Sequence, residues 1–232
     1  MINRSVLALS SLAAASLVSL AAAPAMAGAV DSARDLVANI TPADNNWGSP
    51  CSVDFTLYTA TTNGACFFTL SLRDDDPTIS TALLSTWWGS TNPSAGIYYN
   101  QIGAGNHWTE ITAVADIQEG DLLATSWTNT NGTAGGYVMI VDVAPAAQVP
   151  ATRYLVSILD ATQTPHGPTD SRWQADAGGI HDKGAGAGDI YIDADAVTDA
   201  IVAHTWSTVT GGTIYNQTGA GARPMRVGRF VR

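Results

Sequence analysis

Lysine is almost missing from this chain. Lys183 is the only one, and ten basic residues against twenty acidic ones leave a formal net charge of −10. Such a surface has no basic footprint, which excludes nucleic acid and anionic lipid as main partners. Cysteine is scarce too: Cys51 and Cys66 are the whole complement. Two thiols cannot staple a scaffold or make a zinc site, and no pair of the four histidines has metal-ligand spacing. Charged residues make up 13% of the chain, too few for long solvated helices.

Cofactor fingerprints are also lacking. Gly184–Asp189, "GAGAGD", has neither the lysine nor the Ser/Thr of a phosphate loop and reads as a flexible β-turn. Asp74–Asp76, and the set Asp189, Asp193, Asp195 and Asp199, depart from calcium-loop order and read as acidic turns. No cofactor and no metal are expected.

Only one apolar run is long enough to engage a bilayer, and it lies at the start. "MINRS" carries one positive charge ahead of an Ala- and Leu-rich stretch, and Ala25-Met26-Ala27 offers a small-x-small cleavage pattern. The expectation is a signal peptide over residues 1–27. A single domain over 28–232 would then be exported to the periplasm or beyond and make no membrane contact after cleavage. No Gly- or Pro-rich linker and no internal repeat divides the remainder.

What the chain does have is Gly, Thr, Asn and Ala in quantity, arranged in two halves. Val30–Ile40 carries apolar residues on one helical face. "TTNGACFFTLSLR" reads as a helix capped by Thr62 or Asn63, with a strand as the alternative because the spacing is ambiguous, and "DDDPTISTALLSTWWGS" and "NPSAGIYYNQIGAG" read as two more helices, the latter with Pro93 at its start. "CSVDFTLYTAT" alternates as a strand or extended arm. The second half holds six candidate strands: "GDLLATSW", "GGYVMIVDVA", "TRYLVSILDA", "GDIYIDAD", "DAIVAHTWS" and "PMRVGRFVR". Helices followed by strands predict an α+β domain, with N-terminal helices packed on a C-terminal antiparallel sheet or partly open barrel.

Cys66 therefore opens a helix, where the dipole favours a thiolate. An oxidising compartment equally permits a Cys51–Cys66 disulfide. The residues leave both readings open.

The order of these pieces resembles the NlpC-like and CHAP-like cysteine amidases and peptidases. "ACFFTLSL" opens a helix, "ADIQEGDLLAT" introduces a strand through an I-x-x-G-D turn, and "GGYVMIVDV" and "RYLVSILDAT" follow as central strands. "GIHDKGAGAGDIYIDAD", "HTWS" and "RVGRF" are similar to the closing hairpins of secreted members. The resemblance implies a papain-like fold with Cys66 as nucleophile and Asp160 orienting the base. Members carry Gly-His at the start of the central strand, where this chain has Gly136-Tyr137. His166, six residues after Asp160, is then the only substitute base.

Tyr137, Trp87, Trp88 and Trp108 are the expected substrate contacts, with Trp127 and Trp206 as further groove candidates. His107 reads as a loop residue, His181 as a turn residue and His204 as part of a strand face. The resemblance implies an exported cysteine hydrolase acting on amide bonds of cell-wall peptide or a related substrate. The alternative is a divergent, inactive member of the same fold that recognises glycan or peptide through an aromatic groove.

Overall fold

The structure is a computed structural model that describes residues 26–175 and 181–232. The proposed leader lies outside the described residues as far as residue 25. Met26, inside the expected cleavage motif, is 1% exposed, and its carbonyl accepts the Val30 N–H.

Four helices come first. In α1 (Ala27–Asn39), Ala29, Val30, Ala33 and Leu36 recur at helical spacing and are fully buried on one face. A short arm follows: β1 (Asn45–Trp47), β2 (Ser52–Asp54) and β3 (Thr59–Thr62) form a three-stranded sheet in the order β1-β3-β2. The alternating stretch from Cys51 is thus two strands, broken where the Asp54 carboxylate accepts the N–H groups of Thr56 and Leu57. Next come α2 (Gly64–Asp75), α3 (Thr81–Trp88) and α4 (Ala95–Ala104). Asn63, Ser80 and Ser94 cap their N-termini, and Gly89 and Gly105 end α3 and α4 in the left-handed conformation. Pro93 stands one residue outside the α4 cap rather than inside the helix.

The strands of the second half are β4 (Trp108–Ile111), β5 (Leu122–Thr125), β6 (Trp127–Thr128), β7 (Ala134–Gly135) and β8 (Val138–Ala147). They continue with β9 (Arg153–Thr162), β10 (Gly184–Ala194), β11 (Ile201–Thr205), β12 (Ile214–Asn216) and β13 (Met225–Phe230). Eight of them make one antiparallel sheet in the order β12-β11-β10-β9-β8-β5-β13-β4, and β6 and β7 pair separately. The class is α+β, with a large antiparallel sheet.

Strand alternation splits the interior in two. Leu122, Ala124, Val138, Ile140, Leu159 and Ala161 face the helices and meet Phe67, Phe68, Leu72 and Tyr98. Leu123, Met139, Val141, Val156, Ile158, Ile190, Ile192 and Val227 form a second core, made almost wholly by the sheet. The sheet curls around that second core. A bridge between Ala113, after β4, and Ala200, before β11, draws its two ends together.

"GAGAGD" is not a turn. It is the first half of β10, paired residue for residue with Ser157–Thr162 of β9. Gly184, Gly186 and Gly188 continue the inward face of Ile190 and Ile192, and their missing side chains leave room for other groups.

Candidate functional site

Where the helices meet the sheet, a cleft of about 760 Å³ opens. Its wall takes in the starts of α2 and α4, the start of β8, the end of β9, and Trp206, Tyr215 and Arg223. Two glycines permit this close approach. A Cβ on Gly64 would stand 2.5 Å from the Val138 carbonyl oxygen, and one on Gly136 would stand 2.5 Å from that of Thr125 and 2.7 Å from the Ala95 Cβ. The caps fix the helix starts: the Cys66 N–H donates to Asn63 Oδ1 at 3.1 Å, and the Ile97 N–H to Ser94 Oγ at 3.4 Å.

Cys66 does sit in the first turn of α2, but it carries no thiol. It is joined to Cys51 in a disulfide, with the two Cα atoms 6.3 Å apart, and no free cysteine exists among the described residues. The arm β1–β3 lays Cys51 against the helix start, where Asn63 Nδ2 donates to Cys51 Sγ at 3.7 Å. Cys66 is 2% exposed and does not line the cleft, whereas its neighbours Asn63, Gly64 and Ala65 do. In this state the residue expected as nucleophile has nothing to attack with.

Asp160 and His166 are brought together, carboxylate against imidazole. His166 Nε2 lies 3.0 Å from Asp160 Oδ2, and His166 Nδ1 lies 2.6 Å from the Trp206 carbonyl oxygen. A carbonyl only accepts, so the contact with Trp206 places a proton on Nδ1 and leaves Nε2 facing the carboxylate. Both ring nitrogens are thus engaged within the buried group. The imidazole is also fully buried behind the cleft rather than part of its lining. The residue expected as substitute base is therefore a buried partner of Asp160 and of the Trp206 carbonyl.

Two residues that sequence reasoning missed complete the group. Arg172 donates through Nη2 to Asp160 Oδ1 at 2.8 Å and to Asp170 Oδ2 at 2.7 Å, and through Nη1 to the Gly184 carbonyl at 2.8 Å. Asp170 also accepts the His166 N–H at 2.8 Å. All four side chains are buried. Burial pushes the Asp160 carboxyl up, but Arg172 and His166 outweigh it and hold the group below its ordinary value. The one signal in the sequence was the glycine run of β10, which lies directly under Arg172, Asp170 and His166.

The expected aromatic contacts divide. Trp88 and Trp108 are 3% and 4% exposed and stack in the helix-side core with Phe68, Tyr98 and Phe230. Trp87 is half-buried against His107. None of the three lines the cleft: Trp87 and Trp88 of α3 and Trp108 of β4 all pack against Phe230 of β13. Tyr137 does line it, stacked between Trp127 at 5.0 Å and Trp206 at 4.2 Å. Trp47, Trp206 and Tyr215 complete the aromatic wall.

Burial raises the Tyr137 hydroxyl pKa, and the neighbouring Arg223 only partly opposes this, so the phenol stays neutral and cannot act as a base. Of the other histidines, His107 and His181 lie in connecting segments, and His204 lies on a strand as expected, 3% exposed with Nδ1 unpartnered. No group of residues suited to hold a metal ion occurs among the described residues.

Known proteins add little. No family profile matches the chain, and no solved structure matches it. The chain is similar to the uncharacterized protein R653 of Acanthamoeba polyphaga mimivirus, 25% identical over 189 residues that span 75% of this chain and 80% of that one.

Proposed function

We propose that this chain is an exported, non-catalytic binding module with a papain-like arrangement, whose cleft holds a peptide or glycan segment of cell-wall type. The observation that carries the reading is the pairing of a bridged Cys66 with Tyr137 at the position where the resembled amidases hold their histidine. A hydrolase needs a thiolate and a proton acceptor beside it, and here the sulfur is oxidised, the phenol is neutral and the His166 ring is spent on Asp160 and Trp206.

The lining suits recognition. Flat faces of Trp47, Tyr137, Trp206 and Tyr215 offer stacking area, while Asn92 and Gln163 offer neutral donors and acceptors for amide or hydroxyl groups. The buried Asp160–Arg172–His166 group holds the β9 end and the segment behind it in place, so the cleft is formed before a ligand arrives.

Calorimetric titration with soluble cell-wall fragments tests the proposal. Saturable binding is expected, and Tyr137→Ala should weaken it by at least about tenfold, the usual size of an aromatic anchor's loss. Absence of binding by the intact protein, or binding indifferent to Tyr137, would overturn it.

A further inference from the structure

Arg223 is held as a ligand-binding group would be. Its guanidinium lies 4.3 Å from the Trp127 ring centroid and 4.2 Å from that of Tyr215, so the cation rests over two aromatic rings. Its backbone is tied as well: the Arg223 N–H donates to the Asn216 carbonyl at 3.1 Å, and the Pro224 carbonyl accepts the Ser126 N–H at 3.2 Å. The arginine is therefore fixed although it follows the glycine-rich stretch "TGAGA".

Its donors, by contrast, are spent on no carboxylate; the side-chain group that approaches them is the Tyr137 hydroxyl. Arg34, Arg153, Arg172, Arg226, Arg229 and Arg232 each meet a carboxylate; Arg223, like Arg73, meets none among the described residues. Aromatic rings cover the faces of a guanidinium but leave its edge, and that edge is where a carboxylate binds in bidentate fashion. Within the cleft lining Arg223 is the one cation and Asp160 the one carboxylate, and Asp160 is already matched by Arg172 and His166. The vacant charge in the cleft is thus a single positive one.

We infer that Arg223 is the anchor for a carboxylate on the ligand, and that the ligand is a peptide whose free C-terminal carboxylate sits at Arg223, with its preceding residues along Tyr137 and Trp206. The inference rests on the binding reading above and gives it a chemical class. One guanidinium matches one monoanion; a phosphate dianion would need a second cation that the lining lacks, and would face Asp160. Neutral amides at Asn92 and Gln163 suit the alternating N–H and C=O of a peptide. The starts of α2 and α4 add positive potential on the same side, but they do not carry the argument.

The test uses the full chain and two pools of N-acetylated tripeptides, identical except that one ends in free carboxylates and the other in C-terminal amides. Binding is followed by tryptophan fluorescence and by the Arg223 Nε–Hε signal in a ¹⁵N-labelled sample. The acid pool should bind at least about tenfold more tightly and shift that signal, as expected for a lost charge-assisted bidentate contact in the amides. Arg223→Gln should abolish the preference, and Arg223→Lys should restore part of it. Equal affinity of the two pools for the unaltered protein overturns the anchor while the binding reading survives. A preference that persists in Arg223→Gln also overturns it. Binding of neither pool overturns both.

Discussion

The guanidinium of Arg172 and the carboxylate of Asp160 meet at 2.8 Å with both side chains 2% exposed. A charge pair so far from water persists only when the remaining donors and acceptors are met, and here Asp170, His166, the Gly184 carbonyl and the Trp206 carbonyl meet them. Removing one member leaves its partners charged and unpaired. Asp160→Asn and Arg172→Met should each cost about 3–5 kcal/mol in chemical unfolding, and the double variant should cost less than the two losses together. Because the Asp160 carboxyl is held below its ordinary value, its contribution is present above the unfolded pKa and lost as pH falls through the folded one. Additive costs would show that the two side chains do not act as a pair.

The glycines of β10 should respond with the opposite sign to most strand glycines. Alanine usually improves a strand by relieving backbone entropy. Here a Cβ on Gly186 would lie 2.5 Å from Arg172 Nε, and one on Gly188 would lie 2.7 Å from Asp170 Oδ2 and 3.0 Å from His166 Cδ2. Gly186→Ala and Gly188→Ala should each destabilise by about 1–3 kcal/mol through overpacking, read as a fall in the denaturation midpoint. A rise would contradict the placement of the buried network.

His204 gives the fold an acid-side weakness. Burial, and after it the nearby Arg223, lower its pKa from 6.5 to about 4. The unfolded chain therefore binds a proton across that interval and the folded chain does not, so stability falls as pH drops from about 6.5 towards 4. The loss attributable to this residue is on the order of 3 kcal/mol and is complete near the lower value. Denaturant titrations at several pH values should show that slope in the native protein and its reduction in His204→Phe. An unchanged slope in the variant would remove His204 from the account.

The Cys51–Cys66 bridge closes a sequence separation of 15 residues and ties the arm to the start of α2. Chain entropy for a loop of this size assigns it about 3 kcal/mol. Iodoacetamide should label neither cysteine of the folded protein until reductant is added, and Cys51→Ser/Cys66→Ser should unfold at correspondingly lower denaturant. Rapid labelling without reductant would mean that the bridge is not the resting state.

The sequence made the helices legible through their apolar spacing and, for α2, through a cap at Thr62 or Asn63, and the later strands because Val, Ile and Leu alternate between Gly and Pro clusters. It could not reveal the function of "GAGAGD", since glycine in a strand is chosen for what packs over it, and Arg172 and Asp170 lie in a separate loop. Trp88 and Trp108 misled for a related reason: a tryptophan pattern does not state which side of a helix or strand is inward. Arg223 stood alone in a glycine-rich stretch, and only the fold brings Trp127 and Tyr215 to its guanidinium. Cys66 carried two chemistries in one position, and its neighbour in space, Cys51, decided between them.

The central claim is recognition without turnover, and one measurement addresses it directly. Soluble cell-wall peptides are incubated with the full chain in the absence of reductant, and both the bound and free fractions are read by mass spectrometry. The account predicts that peptides are retained by the protein with unchanged masses and are released by Tyr137→Ala. Cleaved products that form with the unaltered protein and vanish in Cys66→Ala would contradict it.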